Sequence, residues 1–376
     1  MRHWALLIIF SIFSGAATGL ANTPICVNDK GDTRGLTNQD INRALLSSKD
    51  ALYAAFQAER KNPACEPTGS SGTKAVKGTL TSLASTLSRT SVPQIKKTCI
   101  EASLQREPGN NGYSCLNGQP KKFSNSGSSA PCLNRTTVDF LHFAINKATA
   151  CISDGRMPID PRIILKKINN ETAFNFYIAY PGGVGIGQLV SDPVKDIAGY
   201  TKNGQFIKGN ASYILEDLMN SSHPACAAFK SILQKDLQTP PAHGGATKNY
   251  CTWVSPDKGL ARSLIYGLGY YVHVRDKVIK PALEKRASKL ANNAEVLNYL
   301  TLHAYGPDGP SGAKTLIRQL RINNNTPPGE ARAKIEGASD YLKSTEKKME
   351  ELLDVLQPEQ KEKHSKSAIK GDTCVQ

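Results

Sequence analysis

The chain has 376 residues, 39% of them hydrophobic, which is enough for one large domain or for one domain with a helical extension. Its formal net charge of +15 favours anionic partners, and charge alone does not choose among cell-wall polymers, acidic membrane surfaces and nucleic acid. Only 7% of residues are aromatic, and Lys and Arg are spread along the chain without clustering around Phe or Tyr, which argues against a nucleic-acid-binding surface.

Arg2 and His3 precede an apolar run from Trp4 to about Phe13, and small residues follow, ending in Gly19-Leu20-Ala21. This is the pattern of a secretory signal cut after Ala21. The run is too short to span a bilayer comfortably, and Cys26 lacks the preceding Leu-x-Gly/Ala of a bacterial lipoprotein signal. The expectation is an exported protein, periplasmic or secreted, with no stable membrane insertion. Nine cysteines (Cys26, Cys65, Cys99, Cys115, Cys132, Cys151, Cys226, Cys251 and Cys374) then oxidise, leaving at least one thiol out of any internal pairing. No Cys-x-x-Cys pair occurs and the spacings do not resemble a zinc site, so no metal is expected. Cys226 and Cys251 are a candidate pair within one insertion.

Residues 22–137 read as a disulfide-containing helical extension. Thr37 or Asn38 caps a helix through Ala44, Leu45, Leu52 and Phe56, and a second helical run covers about Val76 to Leu104. Residues 105–131, with Pro108-Gly-Asn-Asn-Gly, form the best candidate linker. Val138, Leu141, Ile145 and Ala148 recur at helical spacing, and a break at Pro158 to Pro161 precedes the helix that carries Glu171. Residues 221–256 read as an insertion, followed by a long helix from Lys258 to about Leu290 and another through Ala294 to His303. From Ile335 a heptad-like stripe runs through Ala338, Leu342, Thr345, Met349, Leu352 and Leu356, either packing back on the body or binding a partner. Few runs alternate with period two, so the fold class is mainly α. The expected domains are a signal peptide at 1–21, the extension at 22–137, a main domain at 138–325, and an amphipathic helix with a charged tail at 326–376.

Chemistry concentrates between Asn170 and Leu189. Ile164, Ile168 and Glu171 stand at i, i+4 and i+7, so Glu171 shares the apolar face of its helix. Burial there disfavours the charged carboxylate, the condition for a general acid working near neutrality. Gly182, Gly183, Gly185 and Gly187 give a backbone that turns tightly and approaches a ligand closely, and Gln188 supplies donors and acceptors for sugar hydroxyl or acetamido groups. There is no Gly-Lys-Ser/Thr ending and no preceding apolar strand, so a phosphate loop is discounted. No histidine lies in a recognisable Ser or Cys nucleophile motif.

These residues resemble the lytic transglycosylases of the lysozyme-like superfamily. That family carries Glu-Ser-x-Phe/Trp-Asn-Pro, then Gly-Ala-x-Gly-Leu-Met-Gln, then Ala-Tyr-Asn-x-Gly. The chain reads Glu171-Thr-Ala-Phe-Asn-Phe, then Gly182-Gly-Val-Gly-Ile-Gly-Gln188, then Ala304-Tyr-Gly-Pro-Asp-Gly309. Gly209 to Ile214 loosely resembles an intervening Gly-x-x-Tyr-Leu segment. Thr172 replaces Ser and keeps its hydroxyl, Phe176 replaces Pro, and Gly306 replaces Asn. The similarity covers roughly residues 138–325.

The resemblance implies a lysozyme-like catalytic domain acting on peptidoglycan glycan strands without a cofactor. Glu171 would serve as acid and then base, Gln188 would contact the sugar, and Tyr305 would hydrogen-bond near Glu171 and hold it. Thr172 and Gly185 complete the expected substrate-binding set. His303 is weighted toward packing. A hydrolase that uses water normally needs a second carboxylate. Asp192, Asp196, Glu216 and Asp217 are the candidates, and no motif places any of them. The alternatives are a lysozyme acting on the same bond and a lysozyme-like module that binds peptidoglycan without cutting it.

Overall fold

The computed structural model describes residues 46, 51–61, 115–116, 132–133, 135–159, 164, 167–168, 171, 179–180, 183–241, 259–306, 309–339 and 342. The expected signal peptide, most of the 22–137 extension, Thr172, residues 242–258 and the stripe beyond Leu342 lie outside them.

The described chain is mostly helical. Helix α1 (Ala51–Lys61) is followed by two short parallel strands, β1 (Cys115–Leu116) and β2 (Cys132–Leu133), and by α2 (Arg135–Ile152). Residues 164, 167, 168 and 171 are helical and precede an antiparallel pair, β3 (Ala179–Tyr180) and β4 (Gly183–Val184). Helix α3 (Ser191–Ala198) leads into a hairpin of β5 (Tyr200–Lys202) and β6 (Gln205–Ile207). Helix α4 (Tyr213–Asn220), a 3₁₀ turn (Pro224–Cys226) and α5 (Ala227–Leu233) follow. The carboxy-terminal half holds α6 (Gly259–His273), a π-helical turn (Val274–Ile279), α7 (Lys280–Glu284), α8 (Ala294–Tyr305), α9 (Gly309–Gln319) and α10 (Pro328–Gly337).

Helix α6 is apolar on nearly every side and is accordingly central, packed against α2, α3 and α5. The repeat read in α2 is a core face: Val138, Leu141, Ile145 and Ala148 are all fully buried. Helix α1 docks on α2 through an aromatic cluster in which Tyr53 and Phe140 meet edge-on at 5.2 Å and Phe56 lies 5.4 Å from Phe143. Asn293 caps α8, its side-chain oxygen accepting from the Val296 amide at 3.0 Å. Among the described residues no helix is long and apolar enough to cross a membrane.

Several expectations are corrected. Cys226 pairs with Cys151 and not with Cys251: α2 lies against the 3₁₀ turn, which brings the two Cα atoms to 4.8 Å across a sequence separation of 75. The described part of the segment read as an insertion, 221–256, is built into the core, where Cys226, Phe229 and Leu233 are buried. His223 caps the 3₁₀ turn by accepting from the Ala225 amide at 3.1 Å. The single helix expected from Lys258 is divided by the π-helical turn, and α7 ends at Glu284. The boundary expected at 137/138 falls inside α2. The stripe from Ile335 is interrupted: α10 ends at Gly337, Ala338 is exposed, and buried Ile335 packs on the body where α10 meets α8. The β5–β6 hairpin was legible in Asn203-Gly204, which occupy its turn with φ of 51° and 77°.

Candidate active site

Three pieces of chain converge around Glu171: its own helical segment, the glycine turn after β4, and the end of α8. Ile164 and Ile168 are buried as the helix face requires, and the Glu171 side chain is 20% exposed, leaving the carboxyl at the edge of the core. The same face carries Lys167, one turn earlier. Its ammonium lies 3.7 Å from Glu171 Oε1, donates to the Gly187 carbonyl at 3.1 Å, and sits 3.4 Å above the centre of the Tyr305 ring. Beneath it is a small apolar cavity of about 30 Å³ bounded by Ile164, Ile168, Ile186, Leu264 and Leu268. Burial pushes the Lys167 ammonium down to about 8, and the neighbouring Glu171 carboxylate limits the fall.

The glycine turn is built by backbone constraint. Gly185 has φ of 69°, a left-handed conformation that favours glycine, and its carbonyl accepts from both the backbone N–H and the side-chain Nε2 of Gln188, each at 3.0 Å. Gln188 itself has φ of 45° and folds over Gly183, where an added Cβ would lie 3.0 Å from the Gln188 carbonyl and amide oxygens. Gln188 is therefore presented by the turn, half-buried, with one amide hydrogen bond made inside the turn.

Tyr305 is the last residue of α8, and its ring meets Tyr270 edge-on at 5.9 Å. Its hydroxyl donates to the Gly267 carbonyl of α6 at 3.5 Å, the long limit for such a bond. The hydroxyl is thus directed to α6, and what Tyr305 and Glu171 share is a common neighbour, the Lys167 ammonium over the Tyr305 ring. Burial, the Glu171 carboxylate and Tyr270 together hold the Tyr305 phenol well above its ordinary value, so it stays neutral in the working range. His303 faces the core, and its Nδ1 lies 2.8 Å from Ser339 Oγ.

The four additional carboxylates separate into two pairs. Glu216 pairs with Lys208 at 2.6 Å and Asp217 with Arg156, so both are engaged with other cations. Asp192 and Asp196 lie on α3 beside Tyr270, whose phenol is pushed up to about 12 by burial and by these two carboxylates. Asp192 is exposed, with Lys195 at 3.8 Å. Asp196 is half-buried and accepts from Asn210; burial raises its carboxyl, while His273 and the Asn210 bond oppose the rise. The segment likened to Gly-x-x-Tyr-Leu seals this side: a Cβ on Gly209 would fall 2.2 Å from the Lys195 and Asp196 carbonyls, and the Tyr213 hydroxyl lies 3.4 Å from His273 Nδ1.

The structure brings Glu171, Gly185, Gln188 and Tyr305 into one neighbourhood. Sequence reading missed Lys167, Tyr270 and His273. Lys167 stands at i−4 from Glu171, so helical spacing alone marked it as a neighbour. Among the described residues no group of three or more His, Cys, Asp or Glu side chains is arranged to hold a metal ion. Comparison with protein-family models, with curated proteins and with solved structures finds no match for the chain.

Proposed function

We propose that the protein is an exported lytic transglycosylase with a lysozyme-like catalytic domain, cleaving the β-1,4 bond between N-acetylmuramic acid and N-acetylglucosamine in peptidoglycan. The observation that carries the reading is the placement of Glu171 at the edge of the core, beside the Gly185–Gln188 turn and across Lys167 from Tyr305. The motif order in the sequence supports it, and so does the surplus positive charge, since peptidoglycan carries peptide carboxylates.

In this mechanism the Glu171 carboxyl donates its proton to the glycosidic oxygen. The bond from the anomeric carbon to that oxygen breaks, and the N-acetylglucosamine end leaves as an alcohol. The substrate's own acetamido oxygen stabilises the positive charge at the anomeric carbon. The Glu171 carboxylate then takes the proton of the C6 hydroxyl as its oxygen bonds to the anomeric carbon, which closes a 1,6-anhydro ring and restores the acid. Gln188 holds the sugar's polar groups beside the turn, and Gly185, with Thr172, lets the glycan approach the backbone.

A second reading, hydrolysis by water, is favoured by one observation, the position of Asp192 and Asp196 beside Tyr270 on the Tyr305 side of the site. Mass spectrometry of purified peptidoglycan digested by the protein, with Glu171→Gln alongside, separates the readings. Products lighter by one water than reducing muropeptides are expected, and Glu171→Gln yields none. Reducing products instead establish a lysozyme. Sacculus binding without products establishes a module that does not cut.

A further inference from the structure

Lys167 is a buried cation paired with Glu171 one helical turn on. A Lys placed four residues before a Glu is the less favourable order for a helical ion pair. Its side chain is 9% exposed, against 20% for Glu171, and it lies over an apolar cavity, where desolvation penalises its charge. It nevertheless makes three contacts, each to a different part of the site: the Glu171 carboxylate at 3.7 Å, the Gly187 carbonyl next to Gln188 at 3.1 Å, and the Tyr305 ring at 3.4 Å.

We propose that Lys167 is the positioning residue of this site, its ammonium fixing Glu171 relative to the Gln188 turn and stabilising the carboxylate that remains once Glu171 has given up its proton. The inference rests on the reading of Glu171 as acid and base. The ammonium is the more buried partner, 9% exposed against 20%, so it approaches the carboxylate from the core side. The Tyr305 ring holds the ammonium from α8 through its electron-rich face. Tyr305 thus acts on Glu171 through Lys167.

The groups facing Lys167 make it the one that changes charge just above neutrality. Glu171 faces it from its own helix, and Tyr305 faces it from α8 with a phenol held well above the ordinary value. From α6, Ser263 and Tyr271 line the cavity beneath it, and the Tyr271 hydroxyl is committed to Asn298 at 2.9 Å. Lys167 itself titrates at about 8. Loss of its proton releases Glu171 and the turn from their common tether, so cleavage falls as pH rises through that value.

The test combines the pH profile of peptidoglycan cleavage by the full chain and by Lys167→Met and Lys167→Arg with a lysine NMR titration of the wild type and Glu171→Gln. Lys167→Met is expected to lower kcat by roughly 10- to 100-fold, the scale of removing one charged hydrogen-bond partner, with KM little changed. It also loses the alkaline fall near pH 8. Lys167→Arg, charged throughout the range, recovers activity and keeps it above pH 8, where the wild type falls. In Glu171→Gln the Lys167 titration moves to lower pH, a readout that needs neither cleavage nor a folded Lys167 variant. An unmoved titration, or a Lys167→Met protein with the wild-type kcat and pH profile, overturns the positioning role alone. A wild-type protein that cleaves nothing overturns the enzyme reading and this role with it.

Discussion

Two carboxylate–cation–tyrosine groups lie beside α6, and their difference is instructive. In the first, Asp236 accepts from Arg262 through both carboxylate oxygens, at 2.9 and 2.8 Å, and from the Tyr266 hydroxyl at 2.8 Å. Its two charged side chains are 4% and 2% exposed. Every contact is short and the geometry is bidentate, so the charges are committed to one another. In the second, Lys167 and Glu171 stand 3.7 Å apart, the Tyr305 hydroxyl reaches Gly267 only at 3.5 Å, and Glu171 keeps a partly open face. The first group clamps the segment after α5 to the central helix. The second is a longer contact at the edge of the core, with the Glu171 side chain 20% exposed.

The contrast is broken most directly by neutralising each carboxyl in turn. Glu171→Gln is expected to reduce cleavage by about 10³-fold or more, as removal of a general acid and base does, with little change in unfolding temperature. Asp236→Asn should do the reverse. It leaves the buried Arg262 charge without its counter-charge and costs about 3–5 kcal/mol in chemical denaturation, while protein that remains folded still cleaves. If Asp236→Asn is as stable as the wild type, the clamp is no clamp.

Lys167→Met sharpens the comparison through stability. The folded-state value for Lys167, about 8, lies below its ordinary 10.5, so between these values the unfolded chain binds more protons and stability rises with pH. Below about pH 8 the whole penalty is present, roughly 3 kcal/mol at 1.36 kcal/mol per pH unit. The Met variant lacks it and should unfold at higher denaturant at pH 7, gaining less than the full amount because Glu171 loses its partner. A Met variant destabilised at pH 7 would show that Lys167 is as structural as Arg262. The smallest effect is expected at the turn. Gly185→Ala places a side chain at φ of 69° and should cost about 1–2 kcal/mol, with KM raised through displaced Gln188.

Much of this was legible in the chain. Helical period alone placed α2, with Val138, Leu141, Ile145 and Ala148 all in the core, because a stripe of that spacing has to be covered. The glycine turn could be read because a left-handed position such as Gly185 admits few residues other than glycine. Glu171 stood out as a carboxyl on an apolar face. Its neighbour Lys167 lies on the same face at a readable spacing, but no local rule says that its ammonium is buried.

Tertiary structure decided the remainder, because it depended on which distant segments meet. The Cys151–Cys226 disulfide follows from α2 lying against the 3₁₀ turn. The burial of Phe229 and Leu233 follows from α5 packing between α1 and α6. The meeting of Lys167, Gly187 and Tyr305 follows from α8 ending above the glycine turn. Periodicity and turn chemistry act over a few residues and are written in the sequence. Charge placement at a site depends on desolvation and on partners from three separate segments, and those exist only once the helices have packed around α6.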